Sequence, residues 1–216
     1  MRRNQLDRRY VLAAVIGIAA ALLAWQLPGR LGAGSQSAAE LKAVHLFEPA
    51  REIPDFSLSQ SDGTRLVKGE LKGHWTLVFL GFTHCPDICP TTLAQMARAQ
   101  KVWETLPEAS RPRVLFVSVD PERDSPDQVG DYAHGFHKDT LAATGNIPAL
   151  EQFAQSLSMI FKKMPVEPGV PADQYTVDHT ASLALLDPQA RMSGVLSPPY
   201  DVDQVAQDLM QLSKKH

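Results

Sequence analysis

Residues 75–90 read Trp75-Thr-Leu-Val-Phe-Leu-Gly81-Phe-Thr-His-Cys85-Pro-Asp-Ile-Cys89-Pro90. The first seven, WTLVFLG, form a continuous apolar run, as expected for a strand covered on both faces, because a half-exposed strand would alternate. Pro90 suits the first turn of a helix, where its missing N–H is not needed, and the pattern predicts a helix to about residue 106. A core strand that passes through a short loop into a helix opens an α/β sheet, and sites in such sheets lie beyond the carboxyl ends of the strands. Both cysteines of the chain fall in that loop.

Outward from this stretch, strands and helices alternate. FSLS (56–59) and RLV (65–67) flank Asp62-Gly63, a hairpin turn signal. VLFVSV (114–119) is a second buried strand. Ser125 as N-cap followed by Pro126 starts a helix, and Asn146 followed by Ile147-Pro148 starts another, to about residue 160. Residues 182–186 and 192–196 form strands joined by a turn at Asp187-Pro188. Asp201 with Gln204 three residues on is a capping-box signature for a last helix, to about residue 212. A βαβ half followed by a ββα half is the thioredoxin-like order. The expected fold class is therefore α/β: a thioredoxin-like sheet with flanking helices and an N-terminal hairpin, preceded by one transmembrane helix.

That last element comes from the first thirty residues. Arg2, Arg3, Arg8 and Arg9 precede an uncharged run at residues 10–27, long enough for a short membrane span. Tyr10 and Trp25 lie near its ends, where amphipathic rings prefer the interface, and the one-sided arginines keep that side cytoplasmic. The small-residue stretch Ser37-Ala38-Ala39 lies too far past the run to favour a cleaved signal peptide, and Arg8-Arg9 also fits a twin-arginine signal. The expected organisation is an anchor at 1–30, a Gly/Ser/Ala-rich flexible tether at 31–50 and one domain at 51–216. The expected location is a single-pass protein of the bacterial inner membrane with its domain in the periplasm. The 216 residues, 44% hydrophobic and 21% charged, suit such a plan. The net charge is −3, but residues 1–30 carry +4, leaving −7 on the remainder, which lacks the basic face a nucleic-acid partner requires.

Two thiols at a helix N-terminus, with Cys89 as the cap, meet exposed N–H groups and a dipole that stabilise thiolate. Two thiolates this close close a disulfide or bind one soft metal ion. The alternative is a pair of inert buried cysteines or a permanent disulfide, but packing explains poorly two cysteines within five residues, flanked by prolines, after a core strand. Copper usually adds an imidazole. Of seven histidines, His216 is terminal, His45 and His74 are expected in solvent, and His84 points away from its neighbour Cys85. His134 and His137, three apart on a helix, could form a second metal site, though a solvated face is the simpler expectation. His179 lies just before the penultimate strand, in a loop that packs beside the cysteine loop in a thioredoxin-like fold.

Phe82-Thr-His-Cys-Pro-Asp-Ile-Cys-Pro90 resembles the signature of the Sco/SenC family. Val117-Ser-Val-Asp-Pro-Glu-Arg-Asp124 is similar to its second block, and Asp178-His179-Thr180 with Ser197-Pro198-Pro199 to its third. The resemblance covers about residues 50–212. It departs at Leu141-Ala-Ala-Thr-Gly145, a core strand in the family. The resemblance implies a copper protein that helps to mature the dinuclear copper centre of cytochrome c oxidase, with Cys85, Cys89 and His179 as ligands of Cu(I) or Cu(II). The implied partners are the copper-bearing oxidase subunit and another periplasmic copper chaperone or thiol reductase. Asp120, Asp124 and Asp178 stay open between loop acids, helix caps and an electrostatic role near the metal. Asp87 is expected to cap the following helix. A thiol–disulfide oxidoreductase acting through Cys85 and Cys89 is the alternative, although three intervening residues depart from Cys-x-x-Cys. A peroxiredoxin is disfavoured, because Phe82 and Pro86 occupy the positions three before each cysteine.

Overall fold

The structure, a computed structural model, describes residues 40–166, 168, 169, 171 and 173–214. The expected anchor at 1–30, residues 31–39 of the tether and His216 lie outside the described residues. Among the described residues, no helix is long and apolar enough to cross a membrane.

The apolar run at 76–81 becomes β4 (Thr76–Gly81), buried at every position. A strand buried on both alternations needs cover on both faces, and its neighbour β5 (Arg113–Ser118) pairs with it in parallel. The cover includes α1 (Ile88–Trp103), α2 (Pro126–His134), α3 (Ile147–Ser156) and α4 (Val202–Ser213). On one side α1 packs against α4, where the Trp103 indole N–H donates to the Ala206 carbonyl at 3.1 Å. α2 packs against β6 (Leu141–Thr144) and against β2 (Ser57–Gln60). Local chemistry sets the helix starts. Ser125 and Gln128 exchange side-chain and backbone bonds in a capping box, the Asn146 side chain takes the Ala149 N–H, and the Asp201 carboxylate takes the Gln204 N–H.

The sheet is completed by β1 (His45–Arg51), β3 (Arg65–Val67), β9 (Leu183–Leu186) and β10 (Met192–Leu196), in the order β1-β10-β9-β4-β5-β6-β2-β3. β4, β5 and β6 are parallel and their other neighbours antiparallel. The predicted hairpin is β2–β3, with Gly63 at φ 79° and the Thr64 N–H on the Asp62 carboxylate. Among the described residues, β7 (Phe161–Lys163) and β8 (Val177–His179) pair with each other, as a separate two-stranded sheet.

β1 falls inside the stretch whose composition reads as a tether through residue 50, so that expectation does not hold from residue 41 onward. Nearly all of β1 is exposed, and no apolar alternation marks it. It is held by main-chain pairing with β10 and by buried Asp208, whose Oδ2 accepts the N–H groups of Lys42, Ala43 and Val44 at 2.8, 2.7 and 3.1 Å. Gly194 permits the pairing, because a Cβ there would lie 2.6 Å from the His45 carbonyl oxygen. Two helix ends also differ from expectation. α1 begins two residues before Pro90, and α3 ends at Ser156, two residues before Ser158 turns left-handed at φ 56°.

Candidate metal centre

β4 ends at Gly81 and the chain turns through residues 82–87 into α1. Cys85 is half-buried in the turn, while Cys89 is fully buried as the second residue of α1, not its cap. Gly81 makes room for it: a Cβ there would lie 2.7 Å from Cys89 Sγ and 2.8 Å from the Phe116 ring. The Cys89 N–H, free in the first helical turn, points at Cys85 Sγ at 3.4 Å. Asp87 occupies the N-cap position, but its carboxylate makes no cap bond, contrary to expectation.

His179 ends β8 and reaches this turn from 90 residues away. Its Nε2 lies 3.5 Å from Cys89 Sγ, and its Nδ1 lies 3.2 Å from the Thr180 carbonyl. A carbonyl only accepts, so Nδ1 carries the proton and Nε2 turns its lone pair to the sulfur. The ring lies edge-on to Phe79 and Phe82, at 5.7 and 6.1 Å between centroids. Burial lowers the imidazole pKa, which favours the neutral, ligating form. Burial also pushes the Cys89 thiol well above its ordinary range, opposed by a backbone bond with Phe82. Desolvation thus favours the neutral thiol of Cys89, against the thiolate expected at a helix N-terminus. One ligand atom from each of Cys85, Cys89 and His179 lies within 4.8 Å of the other two. Two sulfurs and one imidazole nitrogen suit a soft or borderline ion of low coordination number.

The acids nearby do not join this group. Asp124 is buried, and its carboxylate takes the Thr83 N–H, the Thr83 hydroxyl and the Ser118 hydroxyl at 2.8, 2.5 and 2.5 Å. It thereby fixes the turn that leads into Cys85. Buried Asp120 takes Arg123 and Tyr175, whereas Asp178 is exposed. His84 turns to Thr83 and Asp124, away from the thiols. His74 is not merely solvated, since its Nδ1 bonds the Arg111 carbonyl at 2.9 Å.

His134 and His137 do not come together as a second metal site. His134 is exposed, and His137 lies past the end of α2 beside Glu104 and Asp139. There the Asp139 N–H donates to His137 Nδ1, so the ring proton is on Nε2, facing Glu104 at 3.4 Å. Both carboxylates of that group are already engaged in ion pairs, with Lys101 and Lys138.

A thioredoxin-like sheet with two thiols and an imidazole converging beyond its central strand defines a protein built to hold a soft metal ion or to exchange a disulfide. Residues 45–214 match the SCO1/SenC family, and the chain belongs to that family. It is 36% identical over 149 residues to the mitochondrial SCO1 homolog 1 of Arabidopsis thaliana, which covers 68% of this chain. The chain spans only 43% of that relative's length. The structure of Bradyrhizobium japonicum ScoI with copper bound is 31% identical, with a TM-score of 0.65 over 74% of this chain and 99% of that one. Apo Sco1 from Thermus thermophilus is 33% identical, with a TM-score of 0.69 over 83% of this chain and 99% of that one.

Proposed function

We propose that the chain is a membrane-anchored copper metallochaperone of the bacterial periplasm. It holds copper through Cys85, Cys89 and His179 and delivers it to the dinuclear copper site of cytochrome c oxidase. The observation that carries this reading is the gathering of two sulfurs and Nε2 within 4.8 Å, with Nδ1 already engaged by a carbonyl. Copper is the cargo. Thiolates suit Cu(I), and the imidazole lets the same site accept Cu(II). Binding through both sulfurs expels the Cys89 proton, so loading releases protons. Three protein donors leave room for a ligand of the recipient subunit to attack before the ion is released. The copper-bound state of the Bradyrhizobium relative supports the choice of metal.

A second reading uses the same sulfurs, and their closeness supports it: the two Sγ atoms lie within 4.8 Å of each other. In that reading Cys85 and Cys89 become a disulfide, and their two electrons and two protons reduce a disulfide of the oxidase subunit to two thiols. His179 separates the readings. His179→Ala should keep the thiol chemistry and lose tight Cu(II) binding, seen as copper stoichiometry of the purified full-length protein. In cells, oxidase activity across a copper titration should fail at low copper for His179→Ala and at all levels for Cys85→Ala. Wild-type oxidase activity at every copper level in His179→Ala, with Cys85→Ala inactive, would leave the reductase reading standing.

A further inference from the structure

Residues 120–124 supply no ligand, yet one side chain of this segment touches both ligand-bearing parts of the chain. Arg123 Nε donates to Asp120 Oδ2 at 2.5 Å, and its Nη1 donates to the Asp173 and Tyr175 carbonyls at 3.0 and 2.9 Å. Its guanidinium lies 3.7 Å from the centre of the Tyr175 ring and 5.7 Å from that of Phe82. The Tyr175 hydroxyl donates to the other oxygen of Asp120 at 2.5 Å, and both residues are buried. Lys163 of β7 also lies over the Tyr175 ring, at 3.8 Å, and pairs with Glu122.

The two ends of this arrangement lead to the site. Tyr175 stands two residues before β8, which ends in His179. Phe82 stands three residues before Cys85, accepts the Cys85 N–H on its carbonyl at 3.2 Å, and meets the His179 ring edge-on. Cys89 is fixed by α1 and by its close approach to β4 at Gly81. His179 instead sits on β8, which pairs with β7 and not with the eight-stranded sheet, so its ring is placed by the edge-on contacts with Phe79 and Phe82 and by whatever anchors β8.

We infer that Arg123, held by Asp120 and stacked on Tyr175, is a positioning brace that sets the His179 imidazole against the thiol pair. The inference rests on Cys85, Cys89 and His179 as the copper ligands and deepens that reading. A planar guanidinium can span one carboxylate, two carbonyls and a ring face at once, which an ammonium cannot. Loss of the brace should therefore fall on Cu(II), which needs the imidazole, and spare Cu(I), which two thiolates can hold.

The test uses full-length protein in detergent, titrated with Cu(II) or Cu(I). Arg123→Lys keeps a charge beside Asp120, and Tyr175→Phe keeps the ring but removes its bond to Asp120. Arg123→Lys should weaken Cu(II) binding about tenfold or more, the usual range for groups that orient a ligand. It should also shift the sulfur-to-Cu(II) charge-transfer band, with Cu(I) affinity and thiol oxidation unchanged. Tyr175→Phe should move the same band in the same direction, by less. A wild-type Cu(II) affinity and spectrum in Arg123→Lys overturns the brace. So does a parallel loss of Cu(I) and Cu(II) affinity that tracks lowered thermal stability of the metal-free protein. His179→Ala and Cys85→Ala serve as references. If His179→Ala keeps Cu(II), the ligand assignment itself fails; if it loses Cu(II) while both brace variants keep it, only the brace fails.

Discussion

At the scale of single residues, the site depends on a side chain that is absent. Gly81 has an ordinary strand backbone, so its role is space: Cys89 Sγ and the Phe116 ring both occupy what would be its Cβ contact shell. Gly81→Ala must push one of them aside in a core where neither has room, since both are fully buried. Overpacking of this kind costs roughly 1–3 kcal/mol. The substitution should lower the urea midpoint accordingly and weaken copper binding, because the sulfur moves with it. Equal unfolding midpoints for the variant and the wild type would show that the sulfur shifts freely and that the packing argument is wrong. Asp124 works in the opposite way, by presence: three donors converge on one buried carboxylate, and the turn before Cys85 takes its shape from them.

At the scale of elements, β1 is the part least predictable from its residues and the most open to test. Its pairing with β10 starts just after three backbone N–H groups converge on one oxygen of Asp208. Asp208→Ala removes that acceptor and leaves the Val44 N–H buried without it, at about 1–3 kcal/mol. Hydrogen exchange at residues 42–46 should accelerate while the amides of β4 and β5 stay protected. Unchanged protection at 42–46 would refute the anchoring role of Asp208. The contrast with β4 and β5 explains what was legible in the sequence. Those strands are buried on both faces and therefore read as unbroken apolar runs. The caps at Ser125, Asn146 and Asp201 were legible because a side-chain oxygen satisfies a helix N–H locally. β1 is an exposed edge strand, β6 is a short run with two alanines, and β7 and β8 are three residues each, so no period could form in them. The same limit hid the second half of the site. Cys85 and Cys89 announce themselves by spacing, whereas His179 joins them through a hairpin outside the main sheet. Its place before the penultimate strand of a thioredoxin-like order pointed to it, and the resemblance to a family made it a ligand, but no local signal marked Arg123 as its support.

At the scale of the whole molecule, the proposed copper-handling domain and the proposed N-terminal anchor should be separable in function. Among the described residues, the sheet, the helices and the three converging donors all lie within 41–214. Residues 1–30, with clustered arginines before an 18-residue uncharged run, carry the features of a membrane anchor and none of the donors. If the anchor only confines the domain, its loss should change where the protein is and not what it binds. A chain beginning near Glu40, exported by an unrelated cleaved signal, should accumulate in the soluble periplasmic fraction and bind copper with wild-type stoichiometry. Oxidase activity in those cells should fall at low copper, because a freely diffusing donor meets its membrane-bound recipient less often than one tethered beside it. The full-length protein should fractionate with inner membranes and resist extraction by high salt, as a spanning helix does and a surface-bound charge cluster does not. Full-length protein recovered from soluble extract, with its N-terminus cut near residue 40, would overturn the anchor and assign residues 1–39 to export alone.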